Sequence, residues 1–459
     1  MTVLTLNESA FLGRATQDTL AVAISFDANQ AGRVDPETER AIRHVTFLSR
    51  PEDNPEQFAR NDWDEVVRDH SERILRQNPS RRQHDLFLMY LSGYFHELRH
   101  AHDLLGSCCG QDILFLLANC YQNTAYLLND LKKWQVATGK DIPVPLPPAE
   151  QFEALSPDSV TILNKYRNTV ENFRGFQRPF GAPYWLTPVD LLEASACNAQ
   201  LTVLHELFGA ENTFRVTELI ARSPAANRYL RARNSVADYL ASKGFTQVHS
   251  DALTYIIWSS LMALKPHGQS MADGLNPVIA FEGIVEVASR HPDVLHLEDA
   301  IKAVDAFCSE WDLMTPLEMG EYFTANMDRR LQSKTGGGYE EIRKAHEGLR
   351  ASFELMLQTV TRHPNGFTNL NMYPWAIVNS ALPSVLVRTY SNGEMHDYLS
   401  PGVAHLSAKQ WTLLDILGCG LRVLSEGFGA LGDSNHENMI MEALRNQEDH
   451  TFRFRDTFF

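Results

Sequence analysis

The 459-residue sequence lacks the features that mark secreted and membrane-embedded proteins. Its first 20 residues contain no basic segment followed by a sustained apolar run, so we expect no secretory signal. The longest apolar stretches, such as DALTYIIWSSLMALKP at 251–266, are too short and too often interrupted by polar residues to span a bilayer. These absences predict a cytoplasmic protein that has no membrane partner.

Cysteine and positive charge are also scarce. The six cysteines include no CxxC pair, so we predict reduced, mostly buried thiols and no disulfide framework. The formal net charge of −16 repels phosphate backbones, and nucleic acid is therefore not an expected partner.

What the chain does contain is typical of a globular, mainly α protein. Apolar residues make up 44% and charged residues 21% of it, and the length predicts two or three packed units. We predict a multi-helical fold of the α+β type with a small N-terminal β element. The predicted divisions are 1–140 with this sheet, 141–210 with a proline-rich excursion, and a helical region at 211–459.

Hydrophobic periodicity predicts the individual elements. LAVAISF at 20–26 and HVTFL at 44–48 are rich in β-formers and predict strands. Helical spacing predicts helices at 82–105 and 111–135. A further helix begins after Thr187 as N-cap and ends near Gly209. Beyond 212 we predict successive helices to about 446, without a fixed-period repeat.

The segment GYFHELRHAHD at 93–103 carries the strongest chemical pattern. Residues four apart share one face of a helix, so His96 and His100 present two imidazoles to one point. This is the arrangement that one Zn²⁺ ion requires. Glu97 lies one position further round and is placed to act as a general base toward water, without binding the metal itself.

The HELRH sequence resembles the His-Glu-x-x-His motif of the zincin metallopeptidases. The resemblance implies a zinc-dependent hydrolase that cleaves a peptide bond in a peptide or protein substrate. Arg99 and His102 depart from the family pattern, which usually has uncharged residues inside the motif and an apolar residue two positions after the second histidine.

A third metal ligand has to come from another part of the chain. The extended zincin signature is absent, because Asp103 and Gly106 stand where it would continue. In gluzincin-type members the third ligand is a glutamate from a second helix, and Glu193 in LLEASACNAQ fits that role. Its small neighbours allow close helix approach, and an unpaired buried carboxylate would be costly. Glu171 and Asp103 remain alternative ligands.

Other residues receive supporting roles. We expect Asp103, or Asp190 from the second helix, to accept a hydrogen bond that orients His100. His102 points away from His100 and is interpreted as a surface or packing residue. The group that stabilises the oxyanion and protonates the leaving amine is not determined; the candidates are Tyr184, His249, Tyr255, Arg388, Tyr390 and His396.

Two other functions stay open at this stage. The first is a metal-dependent amidase that acts on a non-peptide substrate. The second is a helical scaffold or regulatory protein in which the HELRH segment has no catalytic role. The N-terminal strands should form a small sheet beside the HELRH helix. The resemblance to zincins implies that an edge strand of this sheet can pair with an extended substrate.

Overall fold

A computed structural model of the chain shows a mainly α fold, as predicted. It describes residues 13–15, 22–26, 34–46, 62–78, 80–147, 155–174, 186–222, 227–268, 274–290, 293–332, 386–391, 394–399 and 418–429, together with positions 347, 350, 351, 353, 354, 357, 437, 438, 441 and 442.

The described helices are α1 (Pro36–Thr46), α2 (Asp62–Gln77), α3 (Arg82–Leu105), α4 (Cys108–Thr138), α5 (Pro157–Arg174), α6 (Pro188–Ala221), α7 (Asn227–Ser242), α8 (Ser250–Leu261), α9 (Pro277–Ala288), α10 (Leu297–Glu310) and α11 (Pro316–Gln332). The described strands are β1 (Gly13–Ala15), β2 (Val22–Ser25), β3 (Gln247–Val248), β4 (Val294–Leu295), β5 (Leu386–Ser391) and β6 (Glu394–Leu399).

The predicted N-terminal β element is present beside the HELRH helix. The strand order is β1-β2-β5-β6, with β2 and β5 parallel and the outer pairs antiparallel. Strands β1 and β2 both pack against α3, so the prediction of a strand within 20–26 is confirmed. The sequence analysis missed β5 and β6, because it assigned the whole region beyond 212 to helices.

The prediction of a strand at 44–48 is wrong, since its first three residues end helix α1. Asp35 caps this helix by accepting hydrogen bonds from the backbone N–H groups of Glu37 and Thr38, at 3.0 and 2.8 Å. Pro36 occupies the first helical turn, where its missing N–H costs nothing. The buried side chains of α1 follow helical spacing and include Val45. Capping and the buried face therefore outweigh the β preference of the short apolar run.

Helices α3 and α6 form the antiparallel pair on which the candidate site is built. Buried Gln200 donates a hydrogen bond to Ser92 at 3.0 Å. Arg215 donates to both carboxylate oxygens of Asp85, at 2.6 and 2.8 Å. These two contacts show that α3 and α6 run in opposite directions. Helix α6 continues through position 210 with a break in helical geometry at Gly209 (φ 76°, ψ 174°), and the predicted domain limits remain a prediction.

The C-terminal part of the described helices contains an arrangement that occurs twice. Helix α7 leads through β3 into α8, and α9 leads through β4 into α10. The two short strands pair in parallel, and each is followed by a histidine at the N-cap of the next helix, His249 and His296. Their rings lie 4.2 Å apart. The two units have the same order of elements but few identical residues, so the sequence shows no fixed-period repeat.

A continuous hydrophobic core joins these elements. Four of the five cysteines that the structure describes are buried and Cys109 is partly buried, and all five are free thiols, as predicted. Among the described helices, none combines the length and the apolar character that crossing a bilayer requires.

A buried histidine that joins helices α2 and α3 makes the free energy of unfolding depend on pH. Buried His84 shares a hydrogen bond of 2.7 Å with Ser71. Burial, which the charge of Asp85 opposes, lowers the pKa of His84 from 6.5 to about 4. Below pH 6.5 the unfolded chain therefore takes up a proton that the folded protein does not. The contribution of His84 to the free energy of unfolding is complete above pH 6.5. It is lost as the pH falls from there through the folded-state pKa of about 4.

The variant His84→Gln should remove part of this dependence, because glutamine can still bond Ser71 and does not titrate. Between pH 6.5 and about 4, the free energy of unfolding should fall by about 1–2 kcal/mol more in the wild type than in the variant, allowing for solvent screening. Urea denaturation at several pH values measures this difference. Parallel curves for the two proteins would show that His84 does not carry the effect.

Candidate metal centre

Helix α3 places the two motif histidines on one face, as the sequence predicts. Its bounds, Arg82–Leu105, are those expected from the periodicity. Because four residues make about one helical turn, the imidazoles of His96 and His100 are neighbours. Their ring centroids lie 4.9 Å apart and their planes cross at 86°. Both rings turn their Nε2 atoms toward helix α6.

Helix α6 brings the third residue, and its start is fixed by a capping box. The Thr187 side chain accepts from the backbone N–H of Asp190, and the Asp190 carboxylate accepts from the Thr187 N–H at 2.7 Å. Pro188 follows the cap inside the first turn. Thr187 is the N-cap that the sequence predicts. Asp190, expected to orient His100, instead caps the helix that carries Glu193.

Glu193 closes the cluster across the interface between the two helices. Its Oε2 atom lies 3.1 Å from His96 Nε2 and 3.5 Å from His100 Nε2. Close approach is possible because the next residues on α6 are small and buried; they are Ala194, Ser195, Ala196 and Ala199. Residues 97 positions apart in sequence therefore meet at one point.

These distances suit a metal ion. The ligand atoms of His96, His100 and Glu193 all lie within 4.8 Å of one another, and this is the group with metal-site geometry among the described residues. A tetrahedral ion with bonds of about 2 Å separates its ligand atoms by about 3.3 Å. The two observed separations, 3.1 and 3.5 Å, lie on either side of that value. The cluster could therefore hold a metal ion.

The electrostatics of the cluster also favour a cation. Burial acts to lower the pKa of His100, but the charge and hydrogen bond of Glu193 outweigh it and raise that pKa to about 9. Glu97 and Asp103 act in the same direction. Burial acts to raise the pKa of Glu193, and the two histidines overcome it, so this pKa lies well below its ordinary value. The carboxylates around His100 thus stabilise positive charge at this point.

The three side chains of the cluster differ in how far they are buried. The His96 side chain is 5% exposed, whereas those of His100 and Glu193 are 15% and 18% exposed. A catalytic metal site needs protein ligands on one side and an accessible position on the other. Of the three side chains, those of His100 and Glu193 are therefore the ones that solvent reaches most readily.

Glu97 lies next to the cluster without belonging to it. It is buried, at 6% exposure, and its charge reaches His100. It is not among the three residues whose ligand atoms converge. Glu97 is thus a carboxylate beside the cluster that does not join it, and its role as a general base remains a prediction.

A second polar group lies behind the ligands. Arg99 donates from Nε to Ser195 Oγ at 2.9 Å, and its guanidinium lies 2.9 Å from Asp103 Oδ1. Asp103, expected to orient His100, therefore pairs with Arg99 and reaches His100 through its charge. His102 is 1% exposed, which makes it a packing residue and not a surface residue. Sequence analysis missed Ser195 because it read as one of several small residues.

The candidates for the proton donor are not brought to the cluster by any described contact. His249 contacts His296, and the Tyr255 ring lies 5.8 Å from the ring of Trp258. Tyr184 lies outside the described residues. Three further candidates lie on β5 and β6, whose side chains are outside the description; they are Arg388, Tyr390 and His396.

No protein-family model, no curated protein and no solved structure matches this chain. Its function therefore has to be argued from the geometry and charge of the cluster formed by His96, His100 and Glu193.

Proposed function

We propose that the protein is a zinc-dependent hydrolase, and specifically a metallopeptidase of the gluzincin type. His96, His100 and Glu193 bind Zn²⁺, and Glu97 is the general base. The observation that carries the proposal is the meeting of two histidines from α3 with one carboxylate from α6, at 3.1 and 3.5 Å.

The chemistry of the ligands favours a transition metal over Mg²⁺ and Ca²⁺, and the resemblance of HELRH to the zincin motif favours zinc among these. Two imidazole nitrogens and one carboxylate oxygen match the ligand set of catalytic zinc sites, whereas Mg²⁺ and Ca²⁺ take oxygen ligands. Three protein ligands would leave one position of a tetrahedral ion for water or substrate. When bound, zinc supplies a Lewis acid that activates water and polarises a carbonyl.

Glu97 supports the hydrolytic assignment because it can take the proton from the attacking water. It follows His96 directly on α3 and is buried beside His100. A buried carboxylate in this position can accept the proton of the attacking water. An amidase acting on a non-peptide substrate would use the same groups, so the chemistry at Glu97 is common to both.

The sheet beside α3 favours a peptide substrate. Strand β1 lies at one edge of the sheet and packs against the helix that carries the motif. An extended peptide can add to such an edge through main-chain hydrogen bonds, which are independent of side-chain identity. We therefore expect peptide or protein substrates that bind in an extended conformation along β1.

The proposal is tested by measuring metal-dependent peptide hydrolysis. Protein purified without a histidine tag is incubated with a mixture of fluorogenic peptides, before and after zinc removal by a chelator. We expect hydrolysis in the first sample, its loss after chelation, and recovery on addition of one equivalent of Zn²⁺. Stoichiometric zinc without any peptide hydrolysis would favour the non-peptide amidase. Absence of both zinc binding and hydrolysis would favour a scaffold and contradict the proposal.

A further inference from the structure

A buried group that the proposed chemistry does not use lies behind the metal ligands. We name it the arginine cluster and define it as Arg99, Asp103 and Ser195. The side chains of Arg99 and Asp103 are both 0% exposed, and Ser195 is 1% exposed. A charged pair this deep in a protein needs an explanation, because removing both charges from water costs several kcal/mol per ion.

The arginine cluster joins the two helices at the level of the ligands. Arg99 stands between the histidines in sequence, three residues after His96 and one before His100. Ser195 comes two residues after Glu193 on α6. The hydrogen bond from Arg99 Nε to Ser195 Oγ, 2.9 Å long, therefore fixes α6 against α3 beside the ligands.

Two other contacts join the same helices, but further from the ligands. The hydrogen bond between Gln200 and Ser92 lies toward the start of α3. The ion pair between Asp85 and Arg215 lies further still in that direction. Apart from the contacts of Glu193 with the two histidines, the arginine cluster is the one of these described contacts whose residues flank both the motif histidines and Glu193.

Stability alone does not account for a fully buried ion pair. Apolar replacements of such pairs are often neutral or stabilising, and the best-attested benefit of the charges is a fixed register. A slip of one residue moves a helix by about 1.5 Å along its axis, whereas metal–ligand distances tolerate about 0.2 Å. A site whose third ligand comes from a separate helix therefore depends on the register of that helix.

We propose that Arg99 is a positioning residue, which holds Glu193 against His96 and His100 and thereby sets the metal affinity of the site. The inference rests on the proposed function, since it concerns the same ligands. Asp103 holds the guanidinium in place from one turn further along α3, at 2.9 Å. The guanidinium in turn holds Ser195, and with it the segment of α6 that carries Glu193.

The test compares two double variants. Arg99→Met with Asp103→Leu removes both charges together, so that no unpaired ion stays buried. Gln200→Met with Ser92→Ala removes the other buried hydrogen bond between the same helices and serves as the matched control. Circular dichroism and thermal unfolding establish that each variant is folded. The dissociation constant for Zn²⁺ is then measured by competition with a chromophoric chelator.

We expect the arginine-cluster variant to bind Zn²⁺ about 10- to 100-fold more weakly than the wild type, with an unfolding temperature that is unchanged or higher. The control variant should lose stability and keep its zinc affinity. A folded arginine-cluster variant with wild-type zinc affinity would overturn the positioning role. Equal loss of affinity in both variants would overturn it as well, because the effect would then follow from general loosening of the helix pair.

A wild-type protein that binds no zinc would overturn the proposed function, and the position of Glu193 is then read in the metal-free protein. Imidazole nitrogen resonances of His96 and His100 report their tautomers and their hydrogen bonds to Glu193. Loss of the His96 hydrogen bond to Glu193 in the arginine-cluster variant and not in the control supports the positioning role. A hydrogen bond that is kept in both variants contradicts it.

Discussion

Glu97→Gln is expected to lower peptide hydrolysis by at least about 10²-fold, while zinc content and unfolding temperature stay near those of the wild type. Glutamine has the size of glutamate and can form hydrogen bonds, but it cannot accept the proton of the attacking water. Glu97 lies outside the group of converging ligand atoms, so its loss should not weaken metal binding. Initial rates on fluorogenic peptides, together with elemental analysis of the same samples, measure both quantities.

The chain offers a matched control for this variant. A second His-Glu pair, His205 and Glu206, lies exposed on α6 and is not followed by a second motif histidine. Glu206→Gln should leave the rate unchanged. If Glu97→Gln keeps full activity, Glu97 is not the general base. If Glu97→Gln loses its zinc, the glutamate is a ligand and the site has another geometry.

His96→Ala is expected to abolish stoichiometric zinc binding and hydrolysis together. His96 supplies one of three protein ligands, and loss of a ligand should weaken binding beyond the roughly 10- to 100-fold typical of residues behind the ligands. The Glu193 carboxylate would also lose a partner at 3.1 Å. Zinc addition should raise the unfolding temperature of the wild type and leave that of the variant unchanged, because binding to the folded state alone stabilises it.

His102→Ala is the control for this second variant. His102 lies on the same helix and is 1% exposed, but it does not belong to the converging ligand group. We expect the control to lose stability through packing and to bind zinc like the wild type. Zinc binding that survives in His96→Ala, or that is lost equally in His102→Ala, would show that the metal is held elsewhere or that these variants act only through the fold.

The parts of the site that follow from local periodicity could be predicted from the sequence. The apolar spacing of residues 82–105 gives the bounds of α3, and helical geometry then places His96 beside His100. Glu193 could be selected because a carboxylate among small and apolar residues needs a partner. Its distance to the histidines depends on the packing of α3 against α6, which no local pattern specifies.

What sequence analysis missed has the same origin. Strand β5 pairs with β2 across more than 350 residues of chain, and nothing near Leu386–Ser391 reveals that partner. The β-forming residues of the run at 44–48 predict a strand. The first three residues of the run instead end helix α1, because the cap of that helix and most of its buried face lie earlier in the sequence. The sequence predicts that Asp190 accepts a hydrogen bond from His100. It gives Ser195 no role beyond that of a small residue. Only the three-dimensional arrangement shows a capping box and a hydrogen bond to Arg99.

The central claim is that His96, His100 and Glu193 together hold a zinc ion. Crystals of protein grown in zinc-replete medium, with diffraction data collected on both sides of the zinc absorption edge, test it most directly. The account predicts one anomalous peak per chain, about 2 Å from His96 Nε2, His100 Nε2 and a Glu193 carboxylate oxygen. A peak bound by Asp103 or Glu171 in place of Glu193, or no peak between these residues at full zinc loading, would contradict it.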